Sequence, residues 1–342
     1  MKKIVSVVLA AGQSKRMKSR IQKILHTVIG KPLIQHVIEM LEDVPVSKNI
    51  IIVSPGAQDA QKALKGYKSV NFAVQKDRLG TGHAVGQAKT ALKGFKGTIL
   101  VVCGDTPLLR AQTIKDLITT HQEHKAAATI LTTDMDDPKG YGRIIHNLDG
   151  SVEKIVEEKD ASSVERAVKE INTGTYCFDS MYLFGALQKI TNKNKQGEYY
   201  LTDVIEVLRR EGHKVMSKKT PDPAEAKGIN TRSQLAEAEN VLRKRILSNL
   251  MDNGVSVVDP ETTFVESSVL VGMDTKIHPC TVIRAGAKIG SGVIVEPFSV
   301  IGEKAVIKDG VRIGSGSVVM PHVVVKKDVP VLSVCTGKVK KR

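Results

Sequence analysis

The chain contains no tryptophan and only six tyrosines and six phenylalanines, so aromatic residues make up 4% of its sequence. Proteins that bind single-stranded nucleic acids without sequence preference stack successive bases on aromatic rings. This scarcity of rings argues against that class of function. We therefore expect no nucleic-acid partner.

Cysteine is scarce as well. The four cysteines are far apart in the sequence, at Cys103, Cys177, Cys280 and Cys335. Their spacing excludes the paired-cysteine patterns of zinc sites and of thiol redox motifs. Free thiols without a disulfide framework are typical of a reduced compartment, so we expect a cytoplasmic protein.

Long hydrophobic runs are missing. The apolar run at 4–11 follows two lysines, like the start of a signal peptide, but it is short and the polar stretch GQSKRMK follows at once. The run is therefore better interpreted as a buried parallel strand than as a signal peptide. No stretch approaches the ~20 apolar residues that a membrane-spanning helix needs, so we expect no membrane insertion.

Positive charge is abundant. Lysine and arginine total 51 against 36 acidic residues, a formal net charge of +15. Such an excess suggests an anionic partner such as a nucleotide or a sugar phosphate. The alternative is that the charge serves only solubility, with a solvated basic tail at 331–342. Charge alone does not separate the two interpretations.

Short apolar runs alternate with amphipathic stretches over residues 1–230, which predicts an α/β Rossmann-like domain with a mixed, mainly parallel sheet. A connecting helix is predicted at 231–254, because apolar residues recur there at helical spacing without a breaker. The predicted strands of the first domain lie at 4–10, 49–54, 70–74 and 98–103, and its predicted helices at 31–44, 82–94 and 111–124.

A six-residue period dominates the region 255–330. Every sixth residue from Val265 to Val325 is valine or isoleucine, and the position four residues further on is always small or β-branched. Ordinary strands have a period of two, so chance does not explain the pattern. It predicts a left-handed parallel β-helix of hexapeptide repeats. Because the flat sides of such prisms pack about a threefold axis, we expect a homotrimer.

The stretch LAAGQSKRMKSRIQK (9–23) combines a strand end, a glycine turn and five cations, Lys15, Arg16, Lys18, Arg20 and Lys23. Open α/β sheets bind phosphates at such turns. Neither the G-x-G-x-x-G motif nor a P-loop is present, so the pattern favours a polyphosphate held by a turn and several cations. The alternative is a basic surface loop without a ligand.

This opening stretch resembles that of the bacterial N-acetylglucosamine-1-phosphate uridylyltransferases, best known from the bifunctional enzymes of UDP-N-acetylglucosamine synthesis. The similarity continues in order over residues 4–250. The blocks that carry it are QKDRLGTGHAV (75–85), CGDTPLL (103–109), GYGRI (140–144), IVEEKDA (155–161), EINTGTY (170–176), QGEYYLTDVI (196–205) and GIN (228–230).

The resemblance implies Mg²⁺-dependent transfer of UMP from UTP to N-acetylglucosamine 1-phosphate. It places Arg16 on the departing pyrophosphate and Lys23 on the reacting phosphates. It also implies three sets of binding residues: Leu9, Ala10, Ala11, Gly12, Gln75, Gly80 and Thr81 for the nucleotide, Gly140, Glu157, Asn172 and Thr175 for the sugar phosphate, and Asp105 and Asn230 for Mg²⁺.

Each assignment has a simpler alternative. Asp105 ends an apolar run at GDTP, which is also a good turn sequence. Asn230 precedes the predicted connecting helix and suits an N-cap, a role compatible with metal binding. Glu157 belongs to an acidic run that solvent alone could explain, and Asn172 is compatible with a turn at a strand end.

The chemistry of the expected reaction needs no general base. A sugar 1-phosphate is largely dianionic at neutral pH and is already a nucleophile, so positioning and charge neutralisation suffice. Two competing functions stay open: another sugar-1-phosphate nucleotidylyltransferase using glucose 1-phosphate or dTTP, and a non-catalytic basic trimer that binds acidic polymers.

The sequence departs from the family at three points. Ser14 replaces a glycine of the opening loop, and Gln22 replaces the usual proline before Lys23. The family's acetyltransferase residues lie in further coils of the β-helix, and the predicted β-helix here holds only His278 and His322. A lone histidine lacks the orienting partner that catalysis needs, so we expect acetyltransferase activity to be absent.

Overall fold

The computed structural model describes residues 2–12, 15–67 and 69–336, so the end of the predicted basic tail lies outside the described residues. The chain forms two compact units. The first comprises Met1–His26 and Pro32–Arg232, and the second Thr27–Lys31 and Ser233–Arg342. The predicted domain boundaries stay a prediction. Among the described helices, none combines the length and the apolar character that crossing a bilayer requires.

The first unit alternates strands and helices. Two short strands, β2 Thr27–Val28 and β3 Lys31–Pro32, pair with each other and, except for Pro32, belong to the segment Thr27–Lys31 of the second unit. The strands of the first unit are β1 Ile4–Leu9, β4 Asn49–Val53, β5 Val70–Val74, β6 Thr98–Cys103, β7 Ala128–Asp134, β8 Arg143–His146, β9 Val152–Val156, β10 Glu170–Asp179 and β11 Val215–Lys219. Its helices are α1 Leu33–Glu42, α2 Gln58–Ala63, α3 Thr81–Gly86, α4 Ala111–Glu123, α5 Ser163–Arg166, α6 Ser180–Leu187 and α7 Asp203–Arg210, with 3₁₀ turns at Lys15–Met17, Lys23–Leu25 and Pro223–Ala226.

Nine strands form one mixed sheet in the order β11-β7-β10-β6-β1-β4-β5, with β8 paired to β10 and β9 paired to β8. The run β6-β1-β4-β5 is parallel, whereas β10 is antiparallel to both of its neighbours, β6 and β7. The chain moves outward from β1 through β4 and β5 and then returns to place β6 on the other side of β1. This reversal is the topological switch point at which open α/β sheets bind their ligands.

Alternate residues of the central strands point into two hydrophobic layers. Val5 and Val7 of β1 pack with α3, α6 and α7, whereas Ile4 and Val8 pack with α1, α2 and α4. Helices therefore cover both faces of the sheet, which explains why these strands are apolar throughout. The fold class predicted for this part of the chain is confirmed.

One predicted helix is shorter than expected. The pattern at 82–94 predicts a single helix, but α3 ends at Gly86 and turns follow. The amides of Gln87, Ala88 and Lys89 donate to the carbonyls three residues earlier, as in a 3₁₀ turn. Glycine costs about 1 kcal/mol relative to alanine inside a helix, and this cost favours an early end.

The main segment of the second unit contains nearly all of the long helix α8, Arg232–Asp252, and continues as thirteen two-residue strands. These strands stack in three parallel sheets, consistent with the predicted left-handed β-helix. The three sheets are β12 Ser256–Val257, β15 Lys276–Ile277, β18 Ile294–Val295 and β21 Arg312–Ile313; β13 Phe264–Val265, β16 Val282–Ile283, β19 Val300–Ile301, β22 Val318–Val319 and β24 Val334–Cys335; and β14 Leu270–Val271, β17 Lys288–Ile289, β20 Val306–Ile307 and β23 Val324–Val325.

The repeating aliphatic residues fill the interior of this β-helix. All of them from Val265 to Val325 are buried except Val271, which is half-buried. The second inward position often carries a hydroxyl that donates to a backbone carbonyl: Thr275 bonds Gly290 at 2.7 Å and Ser317 bonds Pro330 at 2.7 Å. These hydrogen bonds satisfy polar groups that would otherwise be costly to bury.

The coils turn at positions that also recur every six residues, from Ser268 to His322. Each of these residues has a positive φ, whether or not it is glycine. The glycines that follow the aliphatic positions have another cause, because a Cβ at Gly302 would lie 2.5 Å from the backbone nitrogen of Pro321 in the next coil. Close stacking of coils therefore requires those glycines, and the corners tolerate other residues.

Candidate functional site

The site is built where β1 and β6 end side by side. Leu9 and Cys103 are register partners, and the Gly104 amide donates to the Leu9 carbonyl at 2.9 Å. The two segments that carry the predicted nucleotide and metal residues, 9–12 and 103–105, therefore leave the sheet at the same edge. This is the carboxyl edge at the switch point between the strands.

A cavity of about 400 Å³ opens at this edge, and we call it the first cavity. It is lined by Leu9, Ala10, Ala11, Gly12, Lys23, Ile24, Gln75, Arg78, Gly80, Thr81, Ala84, Cys103, Asp105 and Glu198. The lining includes every residue that the sequence assigned to the nucleotide, together with Lys23 and Asp105. The sheet edge thus brings together residues from four separate motif blocks.

One wall of the first cavity is a glycine turn before α3. Gly80 has φ +108° and ψ 178°, a backbone conformation that is essentially restricted to glycine. Gln75 is buried, and its carboxamide nitrogen donates to the Gly80 carbonyl at 3.1 Å. The Thr81 hydroxyl accepts a hydrogen bond from the Leu201 amide at 3.0 Å. These contacts hold the turn in one conformation.

At the base of the site, three predicted residues meet. The ammonium group of Lys23 donates to Oδ2 of Asp105 and, at 2.9 Å, to Oδ1 of Asn230. The Lys23 and Asp105 side chains are 12% and 17% exposed. The Ile229 amide donates to the Asp105 carbonyl at 2.9 Å, so the loop 228–230 is held beside the end of β6.

Two oxygen atoms from Asp105 and Asn230 thus converge on one cation. A carboxylate and a carboxamide oxygen are hard donors of the kind that Mg²⁺ takes, and Mg²⁺ keeps its other positions for water and substrate phosphates. Within residues 2–12, 15–67 and 69–336, no group of three or more His, Cys, Asp or Glu side chains is arranged to hold a metal. The donor set therefore fits a metal that arrives with a polyphosphate.

Cys103 lies next to this cation position. Burial, together with the charge of Asp105, raises the pKa of its thiol to about 12. The thiol donates weakly to the Gly174 carbonyl at 3.7 Å. It is therefore a neutral part of the wall rather than a nucleophile.

The four predicted sugar-phosphate residues are described by the structure, and none of them is in the lining of the first cavity. Asn172 and Tyr176 flank an irregular register between β10 and β7, and Thr175 lies within it beside Gly174, which has φ +78°. The Asn172 carboxamide donates to the Tyr176 hydroxyl at 2.6 Å and accepts from the Gly174 amide at 3.1 Å. This places Asn172 within a strand irregularity rather than at a strand end.

Glu157 follows β9, and Gly140 lies in a turn before β8 with φ +88°. Burial raises the pKa of Glu157, while the Thr202 hydroxyl, which donates to it at 3.1 Å, partly opposes that shift. Burial and the Glu157 charge raise the pKa of neighbouring Asp203 to about 6. Glu157 is therefore a half-buried acid held by a specific partner, not one member of a solvated run.

The structure places Arg16 differently from the other predicted residues. It is exposed on the 3₁₀ turn Lys15–Met17, which Met17 anchors in the core. Arg16 is a described residue, and it lies outside the lining of the first cavity. Ser14 and the Lys15 side chain lie outside the described residues.

A second cavity of about 400 Å³ adjoins the first and was not anticipated from the sequence. It shares Lys23 and Arg78 with the first cavity and adds Arg20, Ser19 and Ser54. No acidic residue occurs among its described lining residues. Arg78 stands within the block QKDRLGTGHAV, and its charge was the one signal that could have pointed to it.

Gln22, which replaces the family's proline, already has a proline-like backbone. Its φ is −58° and its ψ is 139°, within the range that a proline ring imposes. Among the described residues, its amide donates no backbone hydrogen bond. We expect Gln22→Pro to raise the free energy of unfolding by about 0.4–1 kcal/mol, because it restricts the unfolded chain. Chemical denaturation would measure this, with Gln22→Ala as the control; a proline variant less stable than the alanine variant would contradict it.

Sequence comparison finds two families. The family described as Nucleotidyl transferase matches residues 5–222, and the Bacterial transferase hexapeptide (six repeats) family matches residues 268–303. The first match spans the described elements from β1 to β11, and the second lies within the β-helix. The two matches therefore coincide with the two folds observed.

Among curated relatives, proteins named Bifunctional protein GlmU from Geobacillus thermodenitrificans and Bacillus velezensis are 48% and 47% identical to this chain. The alignments cover 88% and 89% of this chain and 65% and 66% of the relatives. The chain thus spans about two thirds of the length of these relatives.

A crystal structure assigned to a glucose-1-phosphate thymidylyltransferase of Bacillus anthracis is similar in fold, with a TM-score of 0.58. It shares 20% sequence identity with this chain, and the match covers 70% of this chain and 94% of that one. At this level of identity the likeness concerns the fold alone.

Proposed function

The chain belongs to the nucleotidyl transferase family, and on that premise we propose that it transfers UMP from UTP to N-acetylglucosamine 1-phosphate and releases pyrophosphate. The similarity to proteins named Bifunctional protein GlmU, which the motif blocks had indicated, supports this choice within the family. The observation that carries the proposal is the meeting of Lys23, Asp105 and Asn230 beside the first cavity.

In the proposed reaction, the nucleotide occupies the first cavity with its base against Gln75 and the Gly80–Thr81 turn. Its phosphates extend over the backbone of 10–12 toward Lys23. A phosphate oxygen of the sugar 1-phosphate attacks the α-phosphorus, and the bond from that phosphorus to the pyrophosphate oxygen breaks. The chain's contribution is to align these groups and to lower the cost of the developing charge.

Bound Mg²⁺ would neutralise charge on the reacting phosphates, and Asp105 and Asn230 are the residues that would hold it. Lys23 would supply a further positive charge to the reacting phosphates. Pyrophosphate leaves toward the second cavity, where Arg20 and Arg78 provide positive charge and the described lining residues include no acid. Arg16, on the preceding exposed turn, is proposed to meet it there.

The sugar phosphate is proposed to bind on the side of β10. Gly174 joins this strand irregularity to the wall of the first cavity through its contact with Cys103. Glu157 and Asn172 offer a carboxyl and a carboxamide for sugar hydroxyls and the acetamido group, while Thr175 and Gly140 shape the backbone around them.

A substrate panel tests the proposal. UTP, dTTP, CTP and ATP would each be paired with N-acetylglucosamine 1-phosphate and with glucose 1-phosphate, and released pyrophosphate would be measured in the presence of Mg²⁺. We expect UTP with N-acetylglucosamine 1-phosphate to be the fastest pair. A faster rate with glucose 1-phosphate or dTTP would favour the other nucleotidylyltransferase. Salt-dependent retention on nucleic acid without any turnover would instead favour the non-catalytic basic trimer.

Absence of acetyltransferase activity stays a prediction, and the relatives are named bifunctional. In the β-helix, His278 is half-buried and His322 is exposed at a corner with φ +62°. An assay of CoA release from acetyl-CoA with glucosamine 1-phosphate would test it. Clear turnover would contradict the expectation.

We also propose that the protein works in the cytoplasm as a homotrimer, assembled through one face of the β-helix. In the strands of the face formed by β13, β16, β19, β22 and β24, the outward residues are all apolar: Phe264, Val282, Val300, Val318 and Val334. The face formed by β12, β15, β18 and β21 presents Ser256, Lys276, Ile294 and Arg312. The uniformly apolar face is the better candidate for burial between copies.

We expect Val318→Asp to convert trimers into monomers, because a buried unpaired carboxylate is costly. Ile294→Asp is the matched control, since Ile294 is also an outward, half-buried aliphatic but lies on the charged face. Sedimentation velocity at micromolar concentration would measure the oligomeric state of both variants. A trimeric Val318→Asp protein, or dissociation caused by Ile294→Asp alone, would refute this choice of face.

A further inference from the structure

The ammonium group of Lys23 occupies the point on which the proposed metal ligands converge. It contacts Oδ2 of Asp105 and lies 2.9 Å from Oδ1 of Asn230. Both carboxylate and ammonium are largely screened from solvent by the surrounding walls. Lys23 therefore does more than stand near the site, because its charge satisfies the same two oxygen atoms that a metal would need.

The two oxygen atoms are held toward this point by contacts of their own. The Asn230 carboxamide nitrogen donates to the Gly228 carbonyl at 3.3 Å, which leaves Oδ1 facing Lys23. A Cβ on Gly228 would lie 3.7 Å from both Asp105 carboxylate oxygens, so the loop packs closely against that side chain. The two oxygen atoms thus form a preformed cation position. Of the three side chains, the long lysine side chain is the one that can move.

An ammonium group and a divalent cation cannot share this position. Each needs the same lone pairs, and two positive charges a few ångströms apart in a partly desolvated site repel strongly. The lysine must move before the metal can take both oxygen atoms. Its four-carbon stem gives it the reach to do so, and it needs another anion as a partner when it moves.

We propose that Lys23 is an exchangeable occupant of the divalent-cation position, which keeps the metal out until a triphosphate arrives. The incoming phosphates give the ammonium group a new partner, Lys23 swings onto them, and Asp105 and Asn230 then accept the metal. Metal and nucleotide therefore bind together, and the metal alone binds weakly. This inference rests on the proposed function, because it takes the triphosphate as the anion that releases Lys23.

Mn²⁺ binding without nucleotide tests the proposal directly. Free Mn²⁺ would be measured by electron paramagnetic resonance during titration of the full chain and of Lys23→Met. We expect Lys23→Met to bind Mn²⁺ at least about tenfold more tightly, the size of the effect that a neighbouring cation has on the proton affinity of a carboxylate. Adding Asp105→Asn to Lys23→Met should abolish the gain.

Arg20→Met is the matched control, because Arg20 is a cation of the adjoining second cavity that has no place between Asp105 and Asn230. An equal gain in Arg20→Met would mean that general electrostatics, not occupancy, sets the affinity, and would overturn the proposal. Unchanged Mn²⁺ affinity in Lys23→Met would overturn it as well. If Lys23→Met does not fold, Lys23→Gln, which keeps a polar side chain without the charge, would be used to measure the same change in Mn²⁺ affinity.

A second arm adds a non-hydrolysable UTP analogue. In the wild-type protein the analogue supplies phosphate ligands to Mn²⁺ and also draws the Lys23 ammonium group away from Asp105 and Asn230. In Lys23→Met it only supplies phosphate ligands. The increase in Mn²⁺ affinity that the analogue causes should therefore be larger in the wild type, and an equal increase would refute the exchange. Wild-type turnover in the substrate panel judges the proposed function separately, since the nucleotide-free Mn²⁺ titration does not depend on turnover.

Discussion

Replacing Asp105 by asparagine is expected to slow pyrophosphate release by about a hundredfold or more, the usual cost of losing one charge contact at a reacting centre. Asp105 supplies the carboxylate of the cation position, and Lys23 is its partner within the first cavity. The substitution keeps the shape of the side chain and removes its charge. A coupled pyrophosphate assay at saturating UTP and N-acetylglucosamine 1-phosphate would measure the change.

Asp59→Asn is the control for this variant, because Asp59 is a surface aspartate whose side chain is 75% exposed and pairs with Lys62 on α2. It removes the same charge from the same unit without touching the site. Thermal unfolding of both variants would show whether the fold is intact. A wild-type rate in Asp105→Asn would show that the Asp105 carboxylate takes no part in the reaction and that the residue serves only the turn at the end of β6.

Gly80→Ala is expected to have an effect of similar size through the backbone. A Cβ at Gly80 would lie 2.5 Å from the carbonyl oxygen and 2.8 Å from the nitrogen of Tyr199, and the glycine-only φ and ψ add strain of about 1–3 kcal/mol. Relief requires this turn, which lines the first cavity, to shift. Because a displacement of ~1 Å can cost about a hundredfold in rate, we expect kcat/KM for UTP to fall by about that factor.

Gly86→Ala is the matched control, since a Cβ there would meet nothing within 4 Å. Alanine at the last position of α3 should be neutral or slightly stabilising. Steady-state kinetics with varied UTP, together with denaturation curves, would separate a displaced turn from an unfolded unit. Unchanged kinetics in Gly80→Ala would show that this turn does not shape nucleotide binding.

Four strands of the first unit could be predicted because each is a short apolar run flanked by turn residues. The predicted strand at 98–103 is observed as Thr98–Cys103, and that at 70–74 as Val70–Val74. The helix predicted at 82–94 is observed only in its first half, because the low helix propensity of glycine at its end outweighs the amphipathic pattern. The periodicity of apolar residues alone gives no measure of helix propensity, so it did not predict the early end of this helix.

For the candidate site, the motif blocks named the residues of the first cavity but not their contacts. The sequence offered no sign that Lys23 lies between Asp105 and Asn230, because these residues are separated by 82 and 207 positions from Lys23. The second cavity was missed for the same reason. Its lining joins the loop after β1 to Ser54 and Arg78, which follow β4 and β5.

By itself, the sequence determined the four strands at 4–10, 49–54, 70–74 and 98–103, that an α/β unit precedes a β-helix of hexapeptide repeats, and which motif blocks carry the polar residues. These properties are local or periodic, so they follow from the order of residues along the chain. The tertiary structure alone decided that Lys23 takes the cation position, that the second cavity adjoins the first, and which face of the β-helix is uniformly apolar. Those features depend on segments far apart in the chain meeting at one edge or stacking in one sheet, and only packing sets such distances.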